Sequence, residues 1–447
     1  MIIKNVTVID GTGSAPQVGV DVLIVGGRFA DIRPTGMDFS TEPGGLDGSP
    51  DSQPVLDGRG GYLVPGLWEG HTHLTVHGME PTELPAYMRK TLVGYVQAGI
   101  TSVCDLGGFY MLGRGEREIR RADGTAPAVF CARTGFTGVN SWPANSRDSW
   151  PEIVDVEGLE KGGLFQIDDA DTARRRVREL LGEVDYVKCM FDSATGGSGR
   201  RLPRAALEAI IETAHEAGKK VFVHIATGAD LREAVEAGAD CIEHSPIPQD
   251  PTDLGEAEQL AELLAEAGTF YCPTIVTWEQ LGRGGEPAYL DELVADGLIE
   301  PDSIAELTAR PGYGKPFPHH PAEEMKIRFD YAMRSLHLFH EAGVKLVAGS
   351  DIAPALPTPA HALLRELQLF AKAGLPCTEI IATATSHAAE KIGKQDTTGT
   401  VTVGAVADAV LLDADPLTDI RHLTDPHFRR AVVSVGRLAA AQVRQAG

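Results

Sequence analysis

Residues 61–75 read GYLVPGLWEGHTHLT and carry two histidines, His71 and His73, with one residue between them. Apolar residues and a Pro-Gly break precede them, which is typical of a short strand and its end. Residues i and i+2 of a β-strand project from the same face, so both imidazoles point the same way and could share one metal ion. Neutral imidazole nitrogens suit zinc and similar ions. A lone His-x-His pair also fits two ordinary histidines near a strand end, so its meaning depends on the rest of the chain.

The composition bounds the class of protein. The chain has 447 residues, 43% of them apolar, which allows one large α/β barrel with a smaller domain, or about two to three ordinary domains. It carries 63 acidic and 40 basic residues, so its formal net charge is −23. Such a charge offers no electrostatic basis for binding nucleic acid or an anionic membrane. We therefore expect a small-molecule or peptide substrate, with neither nucleic acid nor a membrane as partner.

The cysteines and the N-terminal residues indicate the compartment. The six cysteines form no CxxC pair and lie in apolar segments, as buried reduced thiols of a cytosolic protein do. The first residues, MIIKNVTVIDGTG, lack the apolar segment of a secretion signal, and no run of the chain is apolar enough to span a bilayer. The sequence predicts a soluble, cytoplasmic protein.

Strands and helices alternate regularly from residue 61 to about residue 395. After the opening histidine stretch, strands are predicted at 100–105, 128–133, 186–191, 220–225, 241–244, 270–272 and 345–348. The last helix of the alternation is predicted at 377–391. Such alternation is typical of a parallel sheet, and eight strand positions suit an α/β fold with a (β/α)8 barrel of the TIM type. A Gly- and Pro-rich segment at 277–321 interrupts the alternation and is interpreted as an excursion in the position of a lid.

The two ends of the chain show a pattern of short strands without the alternating helices. Short strands are predicted at 2–9 and 20–25, and again at 399–403, 409–413 and 431–435. Residues 34–55 are rich in Pro, Gly, Ser and Asp, which predicts a mobile surface loop. We expect one small β-sandwich domain formed from both chain termini, with residues 1–60 and 396–447 flanking a barrel at residues 61–395.

Side chains that can bind metals fall at the predicted strand ends, where the active sites of such barrels lie. They are His71 and His73 at the first strand, Lys188 in the fourth, His224 at the fifth, His244 at the sixth and Asp351 after the eighth. A lysine inside an apolar strand is costly to bury, so Lys188 needs a special role. The alternatives are a satisfied core histidine for His224, a pair with Glu243 for His244 and a helix cap for Asp351. Chance is a poor explanation for the complete set.

In these stretches the chain resembles the amidohydrolase superfamily, and within it the prolidase-like and imidazolonepropionase-related enzymes. The resemblance is carried by VPGLWEGHTHL, GITSVCDLGG, VKCM, VFVHIATG, AGADCIEHS, GVKLVAGSD and GTVTVGAVADAVLLDADPLTDI, which lie between residues 55 and 436. It implies a metal-dependent hydrolase with a binuclear centre, most often of zinc, although manganese, cobalt and iron accept similar ligands.

The resemblance also implies a role for each ligand-type residue. One ion would be held by His71, His73 and Asp351 and the other by His224 and His244. Lys188, carboxylated by CO₂ to a carbamate, would bridge both ions, and the two cations would offset the burial of this anion. Asp351 would accept a proton as a metal-activated hydroxide attacks the substrate, and would then deliver it to the leaving group. A single-metal site with an unmodified lysine is the alternative within the family.

The prolidase-like resemblance points to an amide bond in a peptide or an N-acyl amino acid. Two departures argue against a simple carboxypeptidase or dipeptidase. The tyrosine that usually follows the fifth-strand histidine and binds the substrate carboxylate is absent from residues 224–227, HIAT. The Gly-Gly-His piece that is usual after the third strand is absent from residues 131–142, CARTGFTGVNSW. A bulkier, modified or internal amide, as in the tailoring of a peptide natural product, fits this pattern better.

Candidates for substrate contacts are Arg133, with a structural salt bridge as the alternative, and Tyr271 on the seventh strand. Loop residues that either line the mouth or simply pack there are Trp142, Trp150, Phe317, His319 and His320. Two other functions stay open: a deaminase or a lactam or ester hydrolase acting on a small heterocycle, and a non-catalytic scaffold. The lysine at position 188 argues against a deaminase, and the complete ligand set argues against a scaffold. Such barrels often pair, so a homo-oligomer is also open.

Overall fold

The computed structural model describes residues 1–37, 39, 54–74, 84–107, 121, 123–142, 164–193, 199–309, 321–351 and 359–441. Within these residues the strands are, in chain order, β1 (Ile2–Val8), β2 (Gln17–Val25), β3 (Arg28–Pro34), β4 (Val55–Pro65), β5 (Leu67–Thr72), β6 (Ile100–Asp105), β7 (Ala128–Cys131), β8 (Gly135–Gly138), β9 (Leu164–Ile167), β10 (Val187–Phe191), β11 (Val221–Ile225), β12 (Cys241–Glu243), β13 (Phe270–Cys272), β14 (Ala409–Leu412), β15 (Arg429–Ser434) and β16 (Arg437–Ala441).

Helices cover most of the remaining described chain. They are Leu84–Gln97, Ala170–Leu180, Arg204–Glu216, Gly228–Glu236, Gly255–Ala267, Ile275–Arg283, Pro287–Ala295, Ile304–Thr308, Ala322–Glu341, Pro359–Lys372, Cys377–Thr383, Ser386–Lys391 and Arg421–Thr424, with 3-10 turns at Pro301–Ser303 and Pro426–Phe428. Side-chain caps fix some starts: Thr227 and Asp230 form a reciprocal capping box at the helix that follows β11. Within the described chain, no helix combines the length and the apolar character needed to cross a bilayer.

Both chain ends contribute to one seven-stranded sheet, in the order β16-β15-β14-β4-β1-β2-β3. Strands β1 and β4 pair in parallel, whereas β14 pairs antiparallel with β4 and thereby joins the C-terminal strands to the N-terminal ones. Alternate side chains of these strands form a compact apolar cluster that includes Ile3, Val22, Phe29 and Leu411. The prediction that both termini build one β unit agrees with this sheet.

The middle of the chain forms two parallel sheets, which together with the surrounding helices make an α/β fold. One has the order β5-β6-β7 and the other β13-β12-β11-β10-β8-β9. Trp68, Tyr186, Phe222 and Cys272 belong to one apolar cluster, so side chains from both sheets pack together. This packing brings the ends of β5, β11 and β12 to one region.

Backbone hydrogen bonds link the two parallel sheets at both sides. The amide of Asp185, just before β10, donates to the carbonyl of Cys131 at the end of β7 (2.9 Å). On the other side, the amide of Val347 donates to Tyr271 in β13 (2.9 Å), and the amide of Gly70 in β5 donates to Ala348 (3.0 Å).

Three predicted elements are wrong in detail. The strand predicted at 345–348 is reduced to one bridge between Leu346 and Tyr271, because its backbone groups bond in turn to three different segments. The segment predicted as a strand at 399–403 consists of turns and bends, since Gly399 and Gly404 have left-handed backbone. The helix predicted over 377–391 is interrupted at Ala384, whose carbonyl accepts the amide of Trp68 in β5.

Other predictions lie partly or wholly outside the described residues. The surface loop predicted at 34–55 is mostly outside them, as is the end of the segment at 277–321. The described part of that segment is helical, and its first helix, Ile275–Arg283, is largely buried. All six cysteines are described and none of them forms a disulfide, and five are buried, as the sequence predicts.

Candidate functional site

Asp351 lies between three of the predicted histidines. Its Oδ1 atom is 3.2 Å from Nε2 of His71 and 3.3 Å from Nε2 of His73, and its Oδ2 atom is 3.7 Å from Nδ1 of His244. The imidazole of His224 completes the group, with its ring centre 4.5 Å from that of His244. Side chains that are far apart in the sequence therefore meet at the ends of β5, β11 and β12.

Each of the four imidazoles has one ring nitrogen held by another protein group. The pairs are His71 Nδ1 with Glu243 (2.7 Å), His73 Nδ1 with the carbonyl of Gly107, His224 Nε2 with Asp192 (3.3 Å) and His244 Nδ1 with Thr274 Oγ1 (2.8 Å). An imidazole held in this way presents its other nitrogen in a fixed direction. Four oriented lone-pair donors are what a metal site requires.

The backbone at the site adopts conformations that are uncommon for residues with side chains. His244, Thr274 and Asp351 have φ values of +78°, +49° and +45°. Glu243 pairs in register with His224, so these two side chains lie on the same face of the sheet. Ordinary strand alternation would therefore direct the next side chain, His244, to the opposite face from His224. The left-handed backbone at His244 overrides that alternation, and both side chains contribute to the cluster. Such strain is typical of functional sites.

Lys188 is buried in β10, where Met190 pairs in register with His224 of β11. Among the described residues the Nζ atom of Lys188 has no hydrogen-bond partner, and burial lowers the pKa of this ammonium. The Nε2 atom of His71 is also buried, and its contact with Oδ1 of Asp351 (3.2 Å) lacks the geometry of a hydrogen bond. Because buried polar atoms without hydrogen bonds are costly, Nζ of Lys188 above all indicates that the site binds a further group.

The charges of the cluster favour a cation. Burial raises the pKa of Asp351, but the neighbouring His71 and His244 outweigh this effect and hold it well below its usual range. Burial also lowers the pKa of His224 and His244. An ionised carboxylate beside imidazoles is a suitable ligand set for zinc and similar ions.

Glu243 and Lys391 form a buried ion pair that holds His71 in place, and the sequence analysis missed this pair. Lys391, at the end of helix Ser386–Lys391, places Nζ 2.6 Å from Oε1 of Glu243 and 3.1 Å from the carbonyl of Gly70. The other carboxylate oxygen of Glu243 contacts His71, and His244 contacts Thr274, so the alternative in which His244 simply pairs with Glu243 is not what the structure has. Burial raises the pKa of Glu243, but Lys391 and His71 hold it well below its usual range.

Glu69 and the helix Ile275–Arg283 hold the segment that carries Asp351. The carboxylate of Glu69 accepts hydrogen bonds from the amide (2.8 Å) and the hydroxyl (2.7 Å) of Ser350. Thr277, on the first turn of the helix, donates to the carbonyl of Ser350 (2.6 Å). No spacing rule connects these residues with Asp351, because the contacts arise only when distant segments pack.

The weaker candidates lie in different surroundings. Arg133 forms an ion pair with Glu183. The hydroxyl of Tyr271 is buried and contacts Ser245 Oγ (3.1 Å), whereas half-buried Trp142 accepts a hydrogen bond at its carbonyl from Thr137. Four other loop candidates lie outside the described residues: Trp150, Phe317, His319 and His320.

The amidohydrolase family matches residues 62–438 of the chain. The chain therefore belongs to the amidohydrolase family, and it is a hydrolase that acts on carbon–nitrogen bonds. The resemblance to the amidohydrolase superfamily is confirmed, and solved prolidases share the fold of this chain.

Particular relatives cover most of the chain. Ochratoxinase of Aspergillus niger is 26% identical over 420 residues, which span 84% of this chain and 75% of that protein. Adenine deaminase of Serratia proteamaculans is 24% identical over 452 residues, spanning 99% of this chain and 57% of that protein. A solved Xaa-Pro dipeptidase with bound methionine has a TM-score of 0.74 at 19% identity, with 98% of each chain covered. The solved Aspergillus niger ochratoxinase has a TM-score of 0.70 at 21% identity, with 98% of this chain and 95% of that chain covered.

The family is generally metal-dependent, and the described residues at this site can provide the ligands of a metal ion. The ligand atoms of His71, His73 and Asp351 lie within 4.8 Å of one another, close enough to share an ion. A second group of His71, Glu243 and Cys272 meets the same distance criterion. Burial raises the pKa of Cys272 well above its usual range, so its thiol stays protonated, and Glu243 is already engaged by Lys391. The first group is the better metal site.

Proposed function

We propose that the chain is a metal-dependent amidohydrolase that cleaves an amide bond of the peptide or N-acyl amino acid type. The observation that carries this proposal is the orientation of the four imidazoles, each with one nitrogen held by a protein partner. Purely structural histidines would not need two of these rings, His71 and His73, to direct their free Nε2 atoms to within 3.3 Å of one ionised carboxylate.

Six residues would hold two divalent ions, which we propose to be zinc. His71, His73 and Asp351 would bind one ion and His224 and His244 the other, with Lys188 as the bridging ligand. The buried, unpaired Nζ of Lys188 supports its reaction with CO₂, because the pKa lowered by burial increases the neutral amine that forms a carbamate. When bound, such ions supply Lewis acidity and make water more acidic.

The residues of the chain would then handle the proton. Asp351 is ionised and in contact with His71 and His73, so it can accept a proton from the attacking water. The same carboxyl group can return the proton to the nitrogen of the leaving amine. Held by Glu69 and Thr277 through Ser350, this carboxylate needs little rearrangement during the reaction.

We further propose that the two parallel sheets are parts of one (β/α)8 barrel with the site at the carboxyl ends of its strands. The hydrogen bonds from Asp185 to Cys131, from Val347 to Tyr271 and from Gly70 to Ala348 support closure on both sides. The seven-stranded sheet would form the small β-sandwich domain beside it.

A substrate screen tests the proposed function. The enzyme, supplied with zinc chloride and bicarbonate, is incubated with N-acyl amino acids, plain dipeptides and longer blocked peptides, and amine release is measured. We expect cleavage of N-acyl amino acids or blocked peptides, with plain dipeptides as poorer substrates, and no cleavage by Asp351→Asn. Fast cleavage of plain dipeptides would contradict the preference for larger amides. Release of ammonia from adenine without any amide cleavage would favour a deaminase, in line with the Serratia proteamaculans relative.

A further inference from the structure

Arg328 is a buried arginine that lies beside the site and has no acidic partner among the described residues. It belongs to helix Ala322–Glu341 and is 3% exposed. Its Nε atom donates to the carbonyl of Ser245 (2.7 Å), and its Nη2 atom donates to the same carbonyl, which leaves Nη1 without a hydrogen bond among the described residues. Ser245 directly follows His244, so the guanidinium lies next to the histidine cluster.

The missing acidic partner distinguishes Arg328 from another buried arginine of the same fold. Arg365 is equally buried, and its guanidinium pairs with Glu279 (2.6 Å) and Asp296 (2.5 Å). Arg328 forms no ion pair with any described carboxylate; a single backbone carbonyl and an aromatic ring are its partners. A buried charge is expected to have a counter-charge, so a negatively charged ligand would complete this position.

The surroundings of Arg328 connect it to the site rather than to the interior. Its guanidinium carbon lies 3.6 Å from the ring centre of Trp278, and that indole lies 5.9 Å from the imidazole of His244. The indole Nε1 atom of Trp278 is also buried without a hydrogen-bond acceptor. Two unpaired donors, Nη1 of Arg328 and Nε1 of Trp278, therefore occur together next to a proposed metal ligand.

We propose that Arg328, stacked on Trp278, binds a carboxylate of the substrate and so selects N-acyl amino acids and N-blocked peptides with a free carboxylate. This inference rests on the proposed function and deepens it. A planar guanidinium suits a planar carboxylate, and a charge-assisted hydrogen bond in a buried site is stronger than one in water. Burial lowers the pKa of Arg328 to about 9, so the guanidinium stays protonated at neutral pH.

The test compares substrates that differ only in charge. N-benzoyl-L-amino acids and their C-terminal carboxamides are given to the zinc-loaded enzyme, and release of benzoate is followed. The wild-type enzyme should prefer the acid over its carboxamide by about 10- to 100-fold in kcat/KM. Arg328→Met should abolish this preference, chiefly by raising KM for the acid, and should reduce kcat/KM for the acid by a much larger factor than kcat/KM for the carboxamide.

Arg334→Met is the matched control. Arg334 lies on the same helix, donates to the backbone carbonyl of Pro251 and lies over the ring of Tyr331. Unlike Arg328, it is exposed, and it does not bond to Ser245. Its replacement should leave the acid-to-carboxamide ratio as in the wild type. If Arg328 merely fixed the loop after β12, its replacement would reduce cleavage of acid and carboxamide by the same factor, which would overturn the proposal.

A second measurement keeps the test decisive if Arg328→Met does not fold. Free L-amino acids and their carboxamides are compared as inhibitors of the wild-type enzyme, and the acid should bind about 10-fold more tightly or better. Equal inhibition would overturn the role of Arg328 while leaving amide hydrolysis intact. Absence of benzoate release from every substrate would instead contradict the proposed function itself.

Discussion

The Nδ1 atom of His71 lies 2.7 Å from Oε2 of Glu243, and both side chains are fully buried. Lys391 binds the other oxygen of the same carboxylate at 2.6 Å and is fully buried as well. The three residues come from β5, β12 and the helix Ser386–Lys391, so one buried chain of contacts connects three distant segments with the proposed metal site. A carboxylate in this position fixes the ring orientation of a ligand histidine and increases its basicity.

Replacing Glu243 by Gln should weaken metal binding by about 10- to 100-fold, because His71 loses the carboxylate that orients it. The free energy of unfolding should also fall by about 3–5 kcal/mol, since Lys391 is left as an unpaired buried charge. Competition with a zinc chelator and denaturant titration measure the two effects. Glu390→Gln is the control, because Glu390 pairs with Lys345 at the surface.

A double variant separates the two roles of Glu243. In Glu243→Gln combined with Lys391→Met no unpaired charge remains, so part of the lost stability should return. Metal affinity should stay low because the carboxylate beside His71 is still missing. Recovery of metal affinity together with stability would show that Glu243 acts only through the fold.

Lys188→Ala should reduce turnover by at least about 100-fold, since the proposed bridging ligand is lost. Short-chain carboxylic acids such as acetate or propionate should restore part of the activity, because they can occupy the space of the missing carbamate. Lys220→Ala is the control, since Lys220 lies at the surface of the adjacent strand region and pairs with Asp240. Near wild-type turnover of Lys188→Ala would contradict the bridging role.

Gly349→Ala should damage the site through packing. A Cβ atom at Gly349 would lie 2.7 Å from Cβ and N of His71 and 2.7 Å from Sγ of Cys272, which is too close for any of these atoms. We expect a loss of about 1–3 kcal/mol in unfolding free energy, together with reduced metal content and activity. Gly94→Ala is the control: its Cβ would meet nothing within 4 Å, and it should stabilise the protein by about 0.5–1 kcal/mol. Full activity of Gly349→Ala would show that this close approach is dispensable.

Acid sensitivity should depend in part on His361, at the start of helix Pro359–Lys372. Burial, with a smaller effect of Arg429, lowers the pKa of His361 to about 4. Because an unfolded histidine has a pKa of about 6.5, the stabilisation by neutral His361 is present above that pH and is lost as the pH falls towards 4.

Denaturant titrations of the wild type and His361→Gln at about pH 7.5 and about pH 4 isolate this contribution. The unfolding free energy of the wild type relative to the variant should fall by about 2–3 kcal/mol between the two conditions. A difference that does not change with pH would show that His361 titrates alike in the folded and unfolded chain.

The parts of this site that follow local rules could be predicted from the sequence. His71 and His73 share a strand face, and His224 and Lys188 lie in short apolar strands, so spacing alone placed them at the expected positions. The strand predicted at 345–348 was wrong because its apolar residues reflect burial and not sheet pairing, as its backbone bonds to several segments.

The supporting contacts could not be predicted, because each depends on how remote segments pack. Lys391 reads as an ordinary helical lysine, and only the fold places it against Glu243. The left-handed backbone of His244 has no sequence signal of the kind that glycine provides. Arg328 likewise follows the helical pattern of its neighbours, and nothing in that pattern shows that no carboxylate of the described chain pairs with it.

The metal content of the purified enzyme tests the central claim most directly. After loading with zinc and removal of free metal, elemental analysis by mass spectrometry should find about two ions per chain, as in two-metal hydrolases. A variant in which both His71 and His224 are replaced by Asn should lose them while remaining folded. An ion content near zero in the folded wild-type protein, or equal content in the double variant, would contradict the account.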